Sequence, residues 1–214
     1  MTTESELREA ICAHGRLLFG RGFSVGSAGN ISVRLAGGEG YLITPTNSCL
    51  GRLDPARISR LDAEFRHVSG DRPSKEVFMH RAFLANRTEA FAVVHLHSTH
   101  ATAIACLAQP GETRPIPPLT PYFVMRIGRS LPVIPYYRPG DPAMEPAIAA
   151  AARDGARAVL LANHGPVVSG RSLDDAVYAA EELEEAAKLA LLLRGQAARE
   201  LTLDEVGDLL RSFG

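Results

Sequence analysis

The chain has 214 residues, 46% of them hydrophobic and 22% charged, with a net charge of −1, the profile of a globular protein with material for one sizeable core. A near-neutral chain without a Lys/Arg cluster sets up no field for nucleic acid or an anionic membrane; it also lacks Trp and scatters its Phe and Tyr, so no base-stacking platform is suggested. Cys12, Cys49 and Cys106 are widely spaced and form no C-x-x-C, which excludes a zinc ribbon or redox motif and suits a reducing cytoplasm.

Residues 1–6 are polar and acidic, unlike a secretory signal, and no run approaches the roughly 18 apolar residues of a membrane helix. Leu7, Ile11, Leu17 and Leu18 have helical spacing over residues 4–19, and Gly20-Arg21-Gly22 stops that helix. A small-residue loop, Gly26-Ser27-Ala28-Gly29-Asn30, runs into a β-rich strand at Ile31-Ser32-Val33. A turn at Gly37-Gly38-Glu39-Gly40 leads to a second hairpin arm, Tyr41-Leu42-Ile43. After the polar loop Thr44-Pro45-Thr46-Asn47-Ser48, Asp54-Pro55-Ala56-Arg57 reads as a helical turn, and residues 60–67 as one further strand. Pro73-Ser74-Lys75-Glu76 begins a helix to Ala85, with Ser74 as N-cap and Glu76 in the first turn, where the dipole favours a carboxylate.

A strand over about 91–97 follows, then a helix over 98–107 and a proline-rich loop over 109–121. Val133-Ile134 is a short strand, 144–153 an Ala-rich helix, and Ala158-Val159-Leu160-Leu161 a buried strand ending at Asn163-His164-Gly165, with Val167-Val168 as hairpin partner. Ser172 caps a long amphipathic helix with its stripe at Leu173, Ala176, Val177, Ala180, Leu183, Ala187, Ala190 and Leu191, and Glu181, Glu182, Glu184 and Glu185 outside. Gly195 ends it, and a terminal helix covers about 203–210. Strands and helices mix without a βαβα rhythm. The expected fold is α/β, a three-layer α/β/α arrangement around a mainly antiparallel central sheet, as one domain over 1–214.

The chemistry-bearing residues centre on the strand Ala92-Val93-Val94-His95-Leu96-His97. Positions i and i+2 share a face, so His95 and His97 project together while Val94 and Leu96 enter the core. Two imidazoles on a rigid strand make half a metal site. The third ligand is His164, where a buried strand ends, or His100, which lies past the strand and better suits a supporting shell. His14, His67 and His80 read as structural. Three neutral imidazoles with one open position are the ligand set of a catalytic zinc. Glu76 stands near Ser74 and Lys75 before this strand, and the Gly26–Asn30 loop offers an anion nest without a phosphate-loop or dinucleotide motif.

Ala28-Gly29-Asn30-Ile31-Ser32, Ile43-Thr44-Pro45-Thr46, Pro73-Ser74-Lys75-Glu76, His95-x-His97, Ile116-Pro117-Pro118-Leu119-Thr120-Pro121-Tyr122 and Asn163-His164-Gly165 together resemble the class II aldolase/adducin head family, in register from about residue 6 to 195. The resemblance implies one Zn²⁺ (or another divalent metal) per subunit on His95, His97 and His164. It implies Glu76 as an acid/base residue able to approach the metal, and a substrate phosphate held by Gly29, Asn30, Thr46, Asn47, Ser74 and Lys75. It implies a homotetramer with sites at subunit boundaries, where a neighbour donates Tyr122 as a second proton-transfer group; the cytoplasmic location rests on the cysteines.

Sugar-phosphate aldolases of the family tend to carry Gly where this chain has Asn47 and Ser where it has Lys75. The form Ser74-Lys75-Glu76-Val77-Phe78, with His97-Ser98-Thr99-His100 and Pro135-Tyr136-Tyr137-Arg138-Pro139-Gly140-Asp141, is similar to the 3-oxo-tetronate 4-phosphate decarboxylases. That likeness implies zinc-dependent loss of CO₂ from a phosphorylated sugar acid through a metal-bound enediolate, giving dihydroxyacetone phosphate. Glu76 or Tyr122 would deliver the proton, and Lys75 would orient the phosphate or the carboxylate. The alternatives are a fuculose- or ribulose-type phosphate aldolase, a 4-epimerase, a thioribulose-phosphate dehydratase, and a non-catalytic adducin-like binding module, which predicts lost metal ligands.

Overall fold

The computed structural model describes residues 2–213, so the two ends of the expected 1–214 domain, Met1 and Gly214, lie outside the described residues. The strands are β1 (Asn30–Arg34), β2 (Tyr41–Ile43), β3 (Ser59–Leu61), β4 (His67–Ser69), β5 (Ala92–His95), β6 (Val133–Ile134), β7 (Ala158–Leu161) and β8 (Gly165–Gly170). They form one sheet in the order β4-β3-β2-β1-β5-β8-β7-β6. The helices are α1 (Glu4–Gly20), α2 (Val77–Asn86), α3 (Thr99–Leu107), α4 (Pro121–Ile127), α5 (Glu145–Arg153), α6 (Leu173–Leu192) and α7 (Leu203–Phe213).

The period of two along each strand decides which side chain joins which layer. Ile31, Val33, Val94, Leu96, Ala158, Leu160 and Val168 pack into one core with residues of α1, α3, α4 and α6. Ile43, Val93, Val159, Leu161 and Val167 pack into the other with α2 and α5. Val94 and Leu96 are fully buried, each worth about 1.5–3 kcal/mol relative to exposure, and this locks the strand register. A one-residue slip would turn His95 toward α3 and α6. The central strand β5 pairs with β1, placing Asn30 opposite His95, and with β8, placing Val167 opposite His95.

The sheet is mixed. β6 runs parallel to β7, whereas the other neighbouring pairs are antiparallel. The parallel pair follows from the β6–α5–β7 crossover, since a helix between two strands returns the chain in the same direction.

Other local expectations also change. Residues 60–67 are two short strands, because the Asp62 carboxylate accepts the Glu64 and Arg66 N–H groups and turns the chain between β3 and β4. The helix expected from Pro73 starts at Val77, with Glu76 at its N-cap and no side-chain cap bond. α4 lies at the end of the proline-rich stretch. Thr120 accepts from Phe123 N–H and Pro121 occupies the first turn, where a missing N–H costs nothing. α6 ends at Leu192 rather than beside Gly195.

Candidate metal centre and its cleft

The chain leaves β5 immediately after His95, and the next same-face residue is His97. Their Nε2 atoms lie 3.1 Å apart. His95 is fully buried, and its Nδ1 stands 2.9 Å from the Pro166 carbonyl. A carbonyl only accepts, so Nδ1 carries the hydrogen and Nε2 presents a bare lone pair to the cluster. His164 arrives from the β7–β8 turn, where Asn163 takes a positive φ of 57°. Its ring centroid is 4.9 Å from that of His95 and 4.7 Å from that of His97.

Two glycines let flanking loops press against the end of β5. A Cβ at Gly29, whose φ is +80°, would sit 2.8 Å from the His95 carbonyl oxygen, and one at Gly165 would sit 2.3 Å from that of Leu96. Both positions therefore exclude a side chain.

One nitrogen from each of His95, His97 and His164 lies within 4.8 Å of the others. Burial pushes all three pKa values down, that of His95 furthest, and the neighbouring imidazoles of His95 and His164 push the same way. Neutral imidazoles are metal ligands. Both His164 ring nitrogens are buried without a hydrogen-bond partner, a defect of about 1–3 kcal/mol per atom. A divalent cation among the three rings would take the lone pair of one of these two nitrogens, so the residues present fit such an ion.

The Glu76 carboxylate faces the cluster. Oε1 is 3.7 Å from His164 Nε2, and Oε2 is 3.8 Å from His95 Nε2. Oε2 accepts from Asn30 Nδ2 at 2.9 Å, and the Glu76 N–H donates to Ser74 Oγ at 3.2 Å. A cleft of about 330 Å³ opens in front, lined by Gly29, Asn30, Thr46, Asn47, Ser74, Lys75, Glu76, His97 and His164, with Val25, Ser27, Ala28, Pro45 and Pro139. The expected phosphate loops and the His cluster thus border one space. Tyr122 lies elsewhere, 63% exposed on α4, beside Arg21, Phe23, Arg126 and Tyr178. His100 turns away, its Nδ1 2.8 Å from Glu184.

Two arrangements differ from the sequence reading, which gave Asn30 to the phosphate, His80 a structural place and Glu184 the outside of its helix. Ser32, His80 and Asn30 form a buried polar row behind Glu76. Its signal was present: Asn30 and Ser32 are i, i+2 on a strand, and Glu76 and His80 are i, i+4 at a helix start. Glu184, expected outside α6, is buried and accepts the His100 and Ala101 N–H groups at the start of α3. Its signal was present as well: four residues after Ala180 and three before Ala187, Glu184 falls inside the apolar stripe, whereas Glu185 lies about 100° further round the helix.

A family described as Class II Aldolase and Adducin N-terminal domain matches residues 9–191. The chain is 51% identical over 204 residues to the 3-oxo-tetronate 4-phosphate decarboxylase of Cupriavidus necator, covering 93% of this chain and 91% of the relative. A crystal structure of YgbL from Klebsiella pneumoniae, described as a putative aldolase/epimerase/decarboxylase, superposes with a TM-score of 0.93 at 47% identity, over 98% of this chain and 100% of that one. A solved L-fuculose 1-phosphate aldolase superposes with a TM-score of 0.88 at 29% identity, over 99% and 98%.

Proposed function

This chain belongs to the Class II Aldolase and Adducin N-terminal domain family, and on that footing we propose that it is a 3-oxo-tetronate 4-phosphate decarboxylase, a carbon–carbon lyase. The observation that carries the chemistry is a carboxylate, Glu76, facing three neutral imidazoles across the floor of a polar cleft. The substrate is a β-keto acid with its ketone at C3, a hydroxyl at C2 and a phosphate at C4. Cleavage of the C1–C2 bond releases CO₂ and leaves its electron pair conjugated with the C3 carbonyl. Protonation at C2 then gives dihydroxyacetone phosphate.

Held by His95, His97 and His164, a divalent cation, zinc by this ligand set, would supply Lewis acidity toward the substrate oxygens. Glu76 protonates C2 as general acid. The Gly29–Asn30, Thr46–Asn47 and Ser74–Lys75 loops take the phosphate, and the exposed Lys75 ammonium gives the cleft the positive charge that a phosphorylated sugar acid needs. The His95 Nδ1–H bond to Pro166 O fixes that ring against rotation through the cycle.

The reading takes residues 1–214 as one domain, supported by a single eight-stranded sheet that joins every strand from β1 to β8. It takes the protein as a cytoplasmic homotetramer, supported by three free thiols and by an exposed aromatic and charged patch around Tyr122, which would serve a neighbouring subunit's cleft. Among the described residues no helix is long and apolar enough to cross a membrane.

The test is CO₂ and dihydroxyacetone phosphate release from the D- and L-series 3-oxo-tetronate 4-phosphates, with and without a chelator. One CO₂ per dihydroxyacetone phosphate, abolished by chelation and restored by zinc, is expected. No CO₂, together with efficient cleavage of a ketose 1-phosphate, would make the protein an aldolase, the reading favoured by the fuculose-phosphate neighbour.

A further inference from the structure

Behind Glu76 runs a row of polar groups that the chemistry above leaves unused. Ser32 Oγ is 2.7 Å from His80 Nδ1, His80 Nε2 is hydrogen-bonded to Asn30 Oδ1, and Asn30 Nδ2 is 2.9 Å from Glu76 Oε2. All four residues are buried, His80 completely. The row ties two same-face positions of β1 to the start and first turn of α2, so it bridges the sheet and the helix layer that carries the carboxylate.

Elimination places every hydrogen in this row. A carboxylate accepts and does not donate, so the Asn30 atom facing it is the amide nitrogen. The Asn30 atom facing His80 is then the carbonyl oxygen, which requires a hydrogen on His80 Nε2. Burial pushes the His80 pKa down to about 3, so the ring carries one hydrogen only and Nδ1 is bare. Ser32 must therefore donate to Nδ1. All three bonds point toward the carboxylate, and each donor polarises the next. The second Asn30 amide hydrogen goes to Ser74 Oγ at 3.2 Å, which pins the amide plane.

We propose that Ser32, His80 and Asn30 are a one-way donor chain that fixes Glu76 Oε2 as an acceptor and leaves Oε1 as the oxygen that exchanges the proton. This rests on the acid/base role proposed for Glu76. A proton on Oε2 would face the Asn30 amino group. Accommodating it means turning the amide over, moving the His80 hydrogen to Nδ1 and reversing Ser32, all inside a packed interior. A proton on Oε1 requires none of this, and among the described residues Oε1 has no hydrogen bond. His80 does not line the cleft and, among the described residues, its ring bonds only to Ser32 and Asn30, so it is a positioning residue acting through Asn30. The Asn30 side chain thus holds Glu76, while its loop borders the cleft that takes the phosphate.

The experiment compares Glu76→Gln, His80→Phe, His80→Gln and the Glu76→Gln/His80→Phe double variant, each with its metal content measured. His80→Phe is expected to lower kcat by about 10- to 100-fold, the weight of the Asn30 bond to the Glu76 carboxylate that it would loosen, with KM and metal content unchanged. His80→Gln, whose amide nitrogen replaces the Nε2 donor, recovers most of the loss. The double variant is no slower than Glu76→Gln alone, because the effect of His80 passes through the carboxylate. In ¹⁵N spectra of histidine-labelled native protein, the His80 hydrogen resides on Nε2.

Full-speed His80→Phe beside an inactive Glu76→Gln overturns the chain alone, as do multiplicative losses or a hydrogen on Nδ1. Full-speed Glu76→Gln overturns the acid/base reading and the chain with it. Should His80→Phe fail to fold, the ¹⁵N tautomer and Ser32→Ala decide: a fall in kcat at constant KM supports the chain, and unchanged kcat overturns it.

Discussion

Glu76 sits where a loop becomes a helix, so its backbone is free of the helical ladder while its side chain is held from behind by Asn30. His80, one turn further on, is the residue whose protonation the fold resists most clearly: burial takes its pKa from 6.5 to about 3. The unfolded chain therefore binds a proton below about pH 6.5 that the folded chain refuses until about pH 3. Stability from this group is complete above pH 6.5 and falls as the pH drops through that window, by up to ~1.4 kcal/mol per unit. Urea midpoints measured from pH 7 to pH 4 should fall more steeply for the native protein than for His80→Phe, all other groups being common to both. Parallel curves would show that the ring is not held neutral. His80 was read from sequence as structural because its i, i+4 spacing from Glu76 puts the two on one helix face without telling which strand that face meets. The Ser32 and Asn30 side chains that define its role come from β1, with three strands, β2, β3 and β4, between them and His80 in the chain.

Among the elements, α3 depends on α6 for its beginning. Ser98 stands at the α3 N-cap without a side-chain cap bond. Glu184 supplies the missing acceptor, with Oε1 2.8 Å from His100 N and Oε2 2.8 Å from Ala101 N. Burial alone would raise the Glu184 pKa, but the His100 and Ala101 N–H groups overcome it and hold the carboxyl below its usual range. Glu184→Leu should destabilise the protein by about 2–4 kcal/mol, against about 0.5 kcal/mol or less for Glu185→Leu on the exposed face, both read by urea denaturation. Equal costs would mean that Glu184 is not the cap. β5, β7 and α6 were legible because alternation, a short apolar run and a Ser cap are local signals. Glu184 was misread although its spacing from Ala180 and Ala187 sets it inside the stripe, because a carboxylate was taken as a mark of exposure; the N–H groups that it meets belong to the tertiary fold. α4 was hidden for another reason. Its Thr-Pro start is a recognisable helix signal, but it stands at the end of a stretch whose prolines read as loop. The His cluster was legible as i, i+2 spacing plus a strand end, while the distances that unite it belong to the tertiary fold.

At the scale of the molecule, the cleft and Tyr122 occupy separate places on one chain. The tetramer proposed above predicts a solution mass four times that of the chain. It also predicts that Tyr122→Phe lowers kcat without changing metal content; a monomeric mass with full activity would remove Tyr122 from the chemistry. The two glycines pressed on the carbonyls of His95 and Leu96 carry a different consequence. The cluster draws on β5 and on the β7–β8 turn, and the chain between them contains α3, α4 and α5. Closing so long a loop is entropically slow. Helical signal should thus return early in refolding, whereas metal uptake waits for residues 158–170 to dock on β5. In stopped-flow refolding, uptake should lag behind far-ultraviolet circular dichroism, and Gly165→Ala should lengthen the lag more than it lowers the final helical content. The ion would then register the moment at which the last long-range closure is complete.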